Sequence, residues 1–302
     1  MADVLQIDHL AKSFAAVRAL DDVCLTVPEG SVFGLIGENG AGKTTTMKIV
    51  LGLLRPDAGE VHVCGQLVHF GRAATNRLVG YLPDVPQFYD FMTADEYLAL
   101  CGQLAGMTSV AIKRRRGELL ELVGLKSVKK RIGTYSRGMK QRLGVAQALF
   151  ASPKLLLCDE PTSALDPAGR KAVLDVLRRI TSETTVVFST HVLSDVERIC
   201  DRAAVLHQGR IVLDGTLQQL KARHGATGVN VEFANPDDAA QFAAMIAPEL
   251  VEHRSPTELT LRTTAAQFEL WVLGLLSNAG IVPVRFEVVE PTVESLFLEA
   301  LT

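Results

Sequence analysis

The octapeptide Gly37-Glu-Asn-Gly-Ala-Gly-Lys-Thr44 constrains this chain more than any other stretch, because of what flanks it. The apolar run Ser31-Val-Phe-Gly-Leu-Ile36 before it reads as a strand, and Thr45 to Leu54 after it reads as a helix. A strand, a glycine-rich loop and a helix in that order make a cradle for phosphate. The backbone N–H groups of Gly37, Glu38, Asn39, Gly40, Ala41 and Gly42 can converge on phosphate oxygens, and the helix N-terminus adds partial positive charge where Thr45 continues it. Lys43 is placed to reach the β- and γ-phosphates, and the Thr44 hydroxyl to ligate Mg²⁺. A strand-to-helix turn with a chance Lys-Thr is the competing reading, and the flanking elements argue against it. The spacing predicts a site for a nucleoside triphosphate, ATP being the example taken up below.

A second stretch, Leu155-Leu-Leu-Cys-Asp-Glu160, predicts what happens to the triphosphate. Its four apolar residues read as a buried parallel strand that delivers two carboxylates to its C-terminal end. Asp159 would hold Mg²⁺ through its water shell, since that ion wants hard oxygen ligands and keeps several waters. Side chains alternate along a strand, so Glu160 points elsewhere and can polarise an attacking water. Alone, the pair would pass for a solvated Asp-Glu at the end of a core strand. Beside a phosphate loop it reads as catalytic.

A chain of 302 residues suggests about two domains. With 48% hydrophobic and 22% charged residues it can bury a large core. No apolar stretch reaches transmembrane length and no basic-then-apolar leader opens the chain, so a soluble, cytoplasmic protein is expected. The five cysteines are scattered without a C-x-x-C pair, which fits free thiols rather than a metal site or disulfide frame. The net charge of −3 hides an asymmetry: from Gly225 onward the chain carries −8, and the part before it +5.

That charge break marks an expected domain break. Residues 1–222 alternate strands with helices and predict an α/β sheet with its ligand at the strand C-termini. Val4 to Asp8, Asp22 to Val27, Ser31 to Ile36, Leu78 to Leu82, Leu155 to Cys158, Thr185 to Ser189 and Ala203 to Leu206 read as strands. Between about 88 and 150 the pattern turns mostly helical, an insertion ahead of the Asp-Glu strand. His224-Gly-Ala-Thr-Gly228 reads as a linker to residues 223–302, whose β-α-β-β-α-β pattern suggests a small α+β, ferredoxin-like unit. Its helix from Ala265 to Asn278 carries the apolar stripe Phe268, Trp271, Val272, Leu275 and Leu276, read as the unit's own core with a partner surface as the alternative.

Within the helical insertion, Thr134-Tyr-Ser-Arg-Gly-Met-Lys-Gln-Arg142 points to a family. Together with the phosphate loop, the Asp-Glu strand and Ser189-Thr-His191, it resembles the nucleotide-binding domains of ABC (ATP-binding cassette) transporters over roughly residues 3–222. The expected architecture is therefore a P-loop NTPase cassette with a helical signature subdomain. Ser136 and Gly138 fall on the Ser and second Gly of the family's Leu-Ser-Gly-Gly-Gln signature, while Tyr135, Arg137 and Met139 depart from it. This version is similar to that of ATPases driving multi-helix exporters.

The resemblance implies further roles. Phe14 matches the aromatic that stacks on adenine, with a core Phe as the alternative reading. His191 matches the switch histidine that contacts the γ-phosphate and orients Glu160. Ser163-Ala-Leu-Asp166 matches a loop that helps join two cassettes. Asp84, in Tyr81-Leu-Pro-Asp84, stands where the family usually has a Gln that senses Mg²⁺ and the attacking water; a loop shift would give that role to Gln87. Ser136 and Gly138 complete the site of a second cassette, identical or related, so two cassettes would sandwich two ATP. The partners implied are that second cassette and separate polytopic permease subunits, which would hold the protein at the cytoplasmic face of the membrane.

The basic runs Lys113-Arg-Arg-Arg116 and Lys129-Lys-Arg131 lack interleaved aromatics and read as solvated faces, with attraction to an anionic leaflet or acidic loop as a second use. No nucleic acid is expected. The function expected is an Mg²⁺-dependent ATPase subunit of an exporter, against the alternative of a soluble ABC ATPase acting on nucleic acid or ribosomes. The chain has one cassette, no zinc spacing and no sustained heptads, which counts against the alternative.

Overall fold

The computed structural model describes residues 3–15, 17–224, 227–263, 267–289, 292–294 and 296–297. It divides into two compact units, Met1–Leu217 and Gln218–Thr302. The division falls at the head of a helix, ahead of the composition break expected after residue 222.

In the first unit, β1 (Asp3–Phe14) and β2 (Val17–Pro28) form a hairpin, and β3 (Val32–Ile36) leads into α1 (Lys43–Val50). β4 (Ala58–Val63) and β5 (Gln66–Leu67) return to the hairpin, making an antiparallel sheet in the order β2-β1-β4-β5. β6 (Val79–Leu82) precedes a helical block of α2 (Ala94–Leu104), α3 (Ser109–Leu122) and α4 (Arg137–Ala148). Then come β7 (Leu155–Asp159), α5 (Pro167–Arg179), β8 (Thr185–Thr190), α6 (Leu193–Ile199), β9 (Arg202–His207) and β10 (Arg210–Thr216). The second sheet runs β10-β9-β3-β8-β7-β6, with β10 antiparallel to its neighbour and the other pairs parallel.

The parallel core explains its own sequence. β3, β7 and β8 are buried at every residue, so they must be apolar on both faces rather than alternating. The helices begin where short polar side chains can accept from orphan N–H groups. Thr93 opens α2 with a capping box, its hydroxyl accepting from Glu96 N while the Glu96 carboxylate accepts from Thr93 N. Thr108, Ser136 and Asp166 cap α3, α4 and α5 in the same way. Cys158 lies wholly buried in β7.

β4, β5 and β10 escape the sequence reading. β5 has two residues, β10 alternates between exposed and half-buried residues for most of its length, and β4 buries only Val61 and Val63 after an exposed start, so no apolar run announces them. β1 and β2 run past the expected strands to 12 residues each, through bulges where His9 (φ 50°) and Asp22 (φ 60°) take left-handed conformations.

Leading into the second unit is α7 (Leu217–His224), followed by β11 (Thr227–Glu232), α8 (Pro236–Ala243), β12 (Val251–Arg254), β13 (Glu258–Thr263), α9 (Phe268–Ala279) and β14 (Arg285–Val289). The sheet order is β12-β13-β11-β14, antiparallel throughout. Its core gathers Val229, Val231, Phe242, Leu259, Leu261, Val272 and Leu276. Of the expected stripe on α9, Phe268, Val272 and Leu276 are buried and Leu275 packs partly, but Trp271 is 45% exposed and stacks on Phe268 at 5.3 Å. Trp271 lies at the margin of the buried arc, so this part of the core reading is corrected. The last described strand starts at Arg285, and Val282 before it stands in solvent. The expected start of α9 at Ala265 lies outside the described residues.

Phe242 is fully buried and fills the centre of the second core. Phe242→Ala should cost that unit about 3–5 kcal/mol. Thermal unfolding by circular dichroism should show a separate, lowered transition for it, with ATP binding to the first unit retained.

Candidate nucleotide site

A cleft of about 270 Å³ opens at the C-terminal ends of the parallel strands, lined by Glu38 to Gly40 and Gly42 to Thr45 of the phosphate loop together with Asp84, Asp159 and Glu160. Backbone geometry shapes the loop. Gly42 has φ 114°, and a Cβ there would come within 2.6 Å of the Ala19 carbonyl oxygen, so a side chain would meet both strain and collision.

Lys43 is almost fully buried, and its Nζ donates to the carbonyl oxygens of Gly37 and Glu38. The same ammonium lies 3.2 Å from Glu160 Oε1, a buried oxygen without a hydrogen-bond partner of its own. The other oxygen of Glu160 is 2.9 Å from His191 Nδ1. Glu160 therefore sits between two basic groups. Its backbone is left-handed (φ 47°), a conformation costing on the order of 1–3 kcal/mol. It is held there by its N–H, which donates to Ser189 O at 3.2 Å and Ser189 Oγ at 3.1 Å.

Asp159 is buried as well. Thr44 Oγ1 donates to its Oδ2 at 2.7 Å and Ser189 Oγ to its Oδ1 at 2.7 Å. Burial first, and then the charge of Asp159, push the Tyr81 hydroxyl up to about 12, so Tyr81 stays neutral beside the carboxylate. The donors offered around the Thr44–Asp159 pair are hydroxyl and carboxylate oxygens, with Asp84 on the same cleft wall. That is the hard-oxygen chemistry a divalent cation such as Mg²⁺ requires, and the residues fit the ion.

Not every expected residue lines the cleft. Gln87 is exposed and outside it. Ser136 and Gly138 do not line it; the Ser136 hydroxyl caps α4 by accepting from Met139 N, and Gly138 packs against Gly169 of α5. Phe14 is 46% exposed, which removes the core reading, and Lys12 Nζ lies 5.5 Å from its ring centroid. Asp166 caps α5. Sequence reading missed Ser189 and Tyr81 as neighbours of Asp159, and the buried Asp195, which accepts from Thr162 and pairs with Arg170 behind the site. Ser189 precedes Thr190-His191, but nothing in a linear sequence says which strand lies opposite Asp159.

The basic run on α3 is largely engaged. Arg114 and Arg115 pair with Glu118, and Arg116 with Asp95. Among the described residues no helix is long and apolar enough to cross a membrane.

Glu160→Gln keeps the shape of the cleft and removes the carboxylate. It should retain ATP binding and lower hydrolysis by about 10²–10⁴-fold, the span of general-base catalysis. Phosphate release beside equilibrium ATP binding measures both, and unchanged turnover would remove Glu160 from the role of base.

Comparison with known proteins agrees with this geometry. Residues 20–163 match the family model described as ABC transporter. The chain is 46% identical over 219 residues to the uncharacterized ABC transporter ATP-binding protein YxlF of Bacillus subtilis (strain 168), covering 72% of each. It is 33% identical to the linearmycin resistance ATP-binding protein LnrL of the same organism, over 98% of this chain and 97% of that one. With the daunorubicin/doxorubicin resistance ATP-binding protein DrrA of Streptomyces peucetius it shares 32% identity, over 99% and 92%. Among solved structures it is similar to the ATP-binding subunit of an ABC transporter, with a TM-score of 0.65 and 32% identity over 72% of this chain and 92% of that one.

Proposed function

The chain belongs to the ATP-binding proteins of ABC transporters, and from that premise we propose that it is the Mg²⁺-dependent ATPase of an exporter, working as one of two cassettes on separate polytopic permease subunits at the cytoplasmic face of the membrane. One observation carries the reading: Lys43, Asp159, Glu160 and His191, far apart in the chain, meet around a single phosphate loop. The exporter assignment is supported by relatives named for linearmycin and for daunorubicin/doxorubicin resistance, which align over nearly the whole chain.

The backbone N–H groups of the loop and the Lys43 ammonium bind the phosphates of ATP. Thr44 and Asp159, with Asp84 at the wall, would hold Mg²⁺, which would neutralise charge on the phosphates. Phosphate oxygens compete with Glu160 for Lys43, and a Glu160 relieved of that pairing takes the proton from the attacking water. His191, hydrogen-bonded to Glu160, orients it. Phe14, exposed at the hairpin end, offers its ring face to adenine.

Ser136 and Gly138 stand outside the chain's own cleft, which supports their serving the cleft of a second cassette. The exposed Val85, Tyr89 and Phe91 follow directly on Asp84 and give the permease an apolar foothold next to the nucleotide site. The reading of a soluble ATPase on nucleic acid gains little from the basic run of α3, whose three arginines pair with Glu118 and Asp95. The second unit, which carries −8 from Gly225 onward, is a regulatory or dimer-stabilising accessory.

Three measurements test this. Full-length Glu160→Gln should shift from monomer to dimer by light scattering when Mg²⁺ and ATP are added together. Binding to membranes that contain the permease should weaken with Phe91→Ala, whereas co-sedimentation with ribosomes or DNA instead would overturn the transport assignment. A chain ending at Arg223 should still bind ATP but show an altered dimer lifetime. Loss of ATP binding in a folded truncation would refute this division of labour.

A further inference from the structure

Two departures from the family pattern, distant in sequence, meet in space. Asp84 replaces the expected amide on the cleft wall, and Arg137 replaces the first glycine of the signature. Arg137 Nη2 lies 3.5 Å from Asp84 Oδ1, with both side chains about half exposed. The contact is part of a packed strip. Arg137, Lys140 and Gly144 fall at i, i+3 and i+7 on one face of α4, and each meets the segment from Leu82 to Asp90. Lys140 Nζ pairs with Asp90 at 3.2 Å. A Cβ on Gly144 would stand 2.6 Å from Leu82 Cδ1 and 3.2 Å from Pro86, so glycine lets the helix press directly on the loop. The strip begins at Asp84, in the nucleotide cleft, and ends within α4, whose cap is Ser136.

We propose that Arg137 is a positioning residue for the cation site: guanidinium and divalent cation compete for the one carboxylate of Asp84, so that filling the cleft with Mg²⁺ and ATP releases the start of α4. This rests on the Mg²⁺–ATP site proposed above. A half-exposed ion pair contributes only about 0–1 kcal/mol. That weakness suits a competitive contact, because a divalent cation on the same carboxylate can displace it. A neutral Gln at position 84 beside a Gly at 137 could not form such a contact, which needs both departures together.

The quantity to measure is the Mg²⁺ enhancement, the ratio of ATP affinity with MgCl₂ to affinity with EDTA, by calorimetry on the full chain. Arg137→Ala should raise it by about two- to fivefold, the range a half-exposed pair can supply, with ATP affinity in EDTA unchanged. Arg137→Lys, which keeps the charge, should return it most of the way to wild type. Asp84→Asn should lower it. In the Asp84→Asn background, Arg137→Ala should have no further effect. An equal rise in both backgrounds would mean a general field effect of the lost cation and would overturn the proposal, as would no rise in either. If the wild-type chain shows no enhancement at all, the Mg²⁺–ATP reading itself fails, which is a separate outcome. Thermal unfolding identifies any variant that has lost its fold; should Arg137→Ala be one, Arg137→Gln, which also removes the charge, should show the same rise, and its absence would overturn the proposal.

Discussion

The parallel pairing of β7 with β8 sets the chemistry of the whole site. Its register places Asp159 opposite Ser189, and the Ser189 hydroxyl donates to that carboxylate. The same serine receives the Glu160 N–H through both its carbonyl and its hydroxyl. A slip of one residue would turn every side chain of β7 to the opposite face. Asp159 would leave Thr44, and the turn that aims Glu160 at His191 would lose its anchor. Because both strands are buried throughout, the apolar packing around them holds this register.

Burying ionised groups is costly unless they are paired and hydrogen-bonded. Lys43 and Asp159 are both nearly inaccessible to water, and each has its partners in place: two carbonyls and a carboxylate for the ammonium, two hydroxyls for the carboxylate. The site is thus preorganised by fixed dipoles, which need little reorganisation when charge moves. Its least settled member is Glu160, strained in backbone and divided between Lys43 and His191. That is where a change in occupancy of the cleft is felt first.

Much of this was legible in the sequence for a physical reason. A parallel core strand is apolar on both faces through its middle, as in Val32 to Ile36, Leu155 to Cys158 and Val186 to Phe188, and a phosphate loop must be glycine-rich, so β3, β7, β8 and the loop announce themselves. Asp159 and Glu160 were found because they end such a strand. The exposed strands β4, β5 and β10 carry no comparable signal, and the bulges at His9 and Asp22 depend on left-handed backbone that no residue type there demands. Ser189 against Asp159, and Arg137 against Asp84, are long-range contacts that follow from strand order and helix placement. Trp271 shows the limit of periodicity, which fixes the direction of an apolar stripe but not its width.

Cys158 has a consequence for redox chemistry. It sits one residue before Asp159, and burial, reinforced by that neighbouring carboxylate, pushes its thiol far above the ordinary range. The nucleophile in oxidation and alkylation is the thiolate, so a sulfur within the catalytic strand is chemically silent while the strand is folded. Cys200 is buried and likewise shifted up, whereas Cys24 and Cys64 face solvent, although partial burial also raises the Cys64 thiol. Oxidants therefore meet expendable surface sulfurs before they can reach the one beside the cation-holding aspartate. Reactivity of Cys158 reports that the central sheet has come apart.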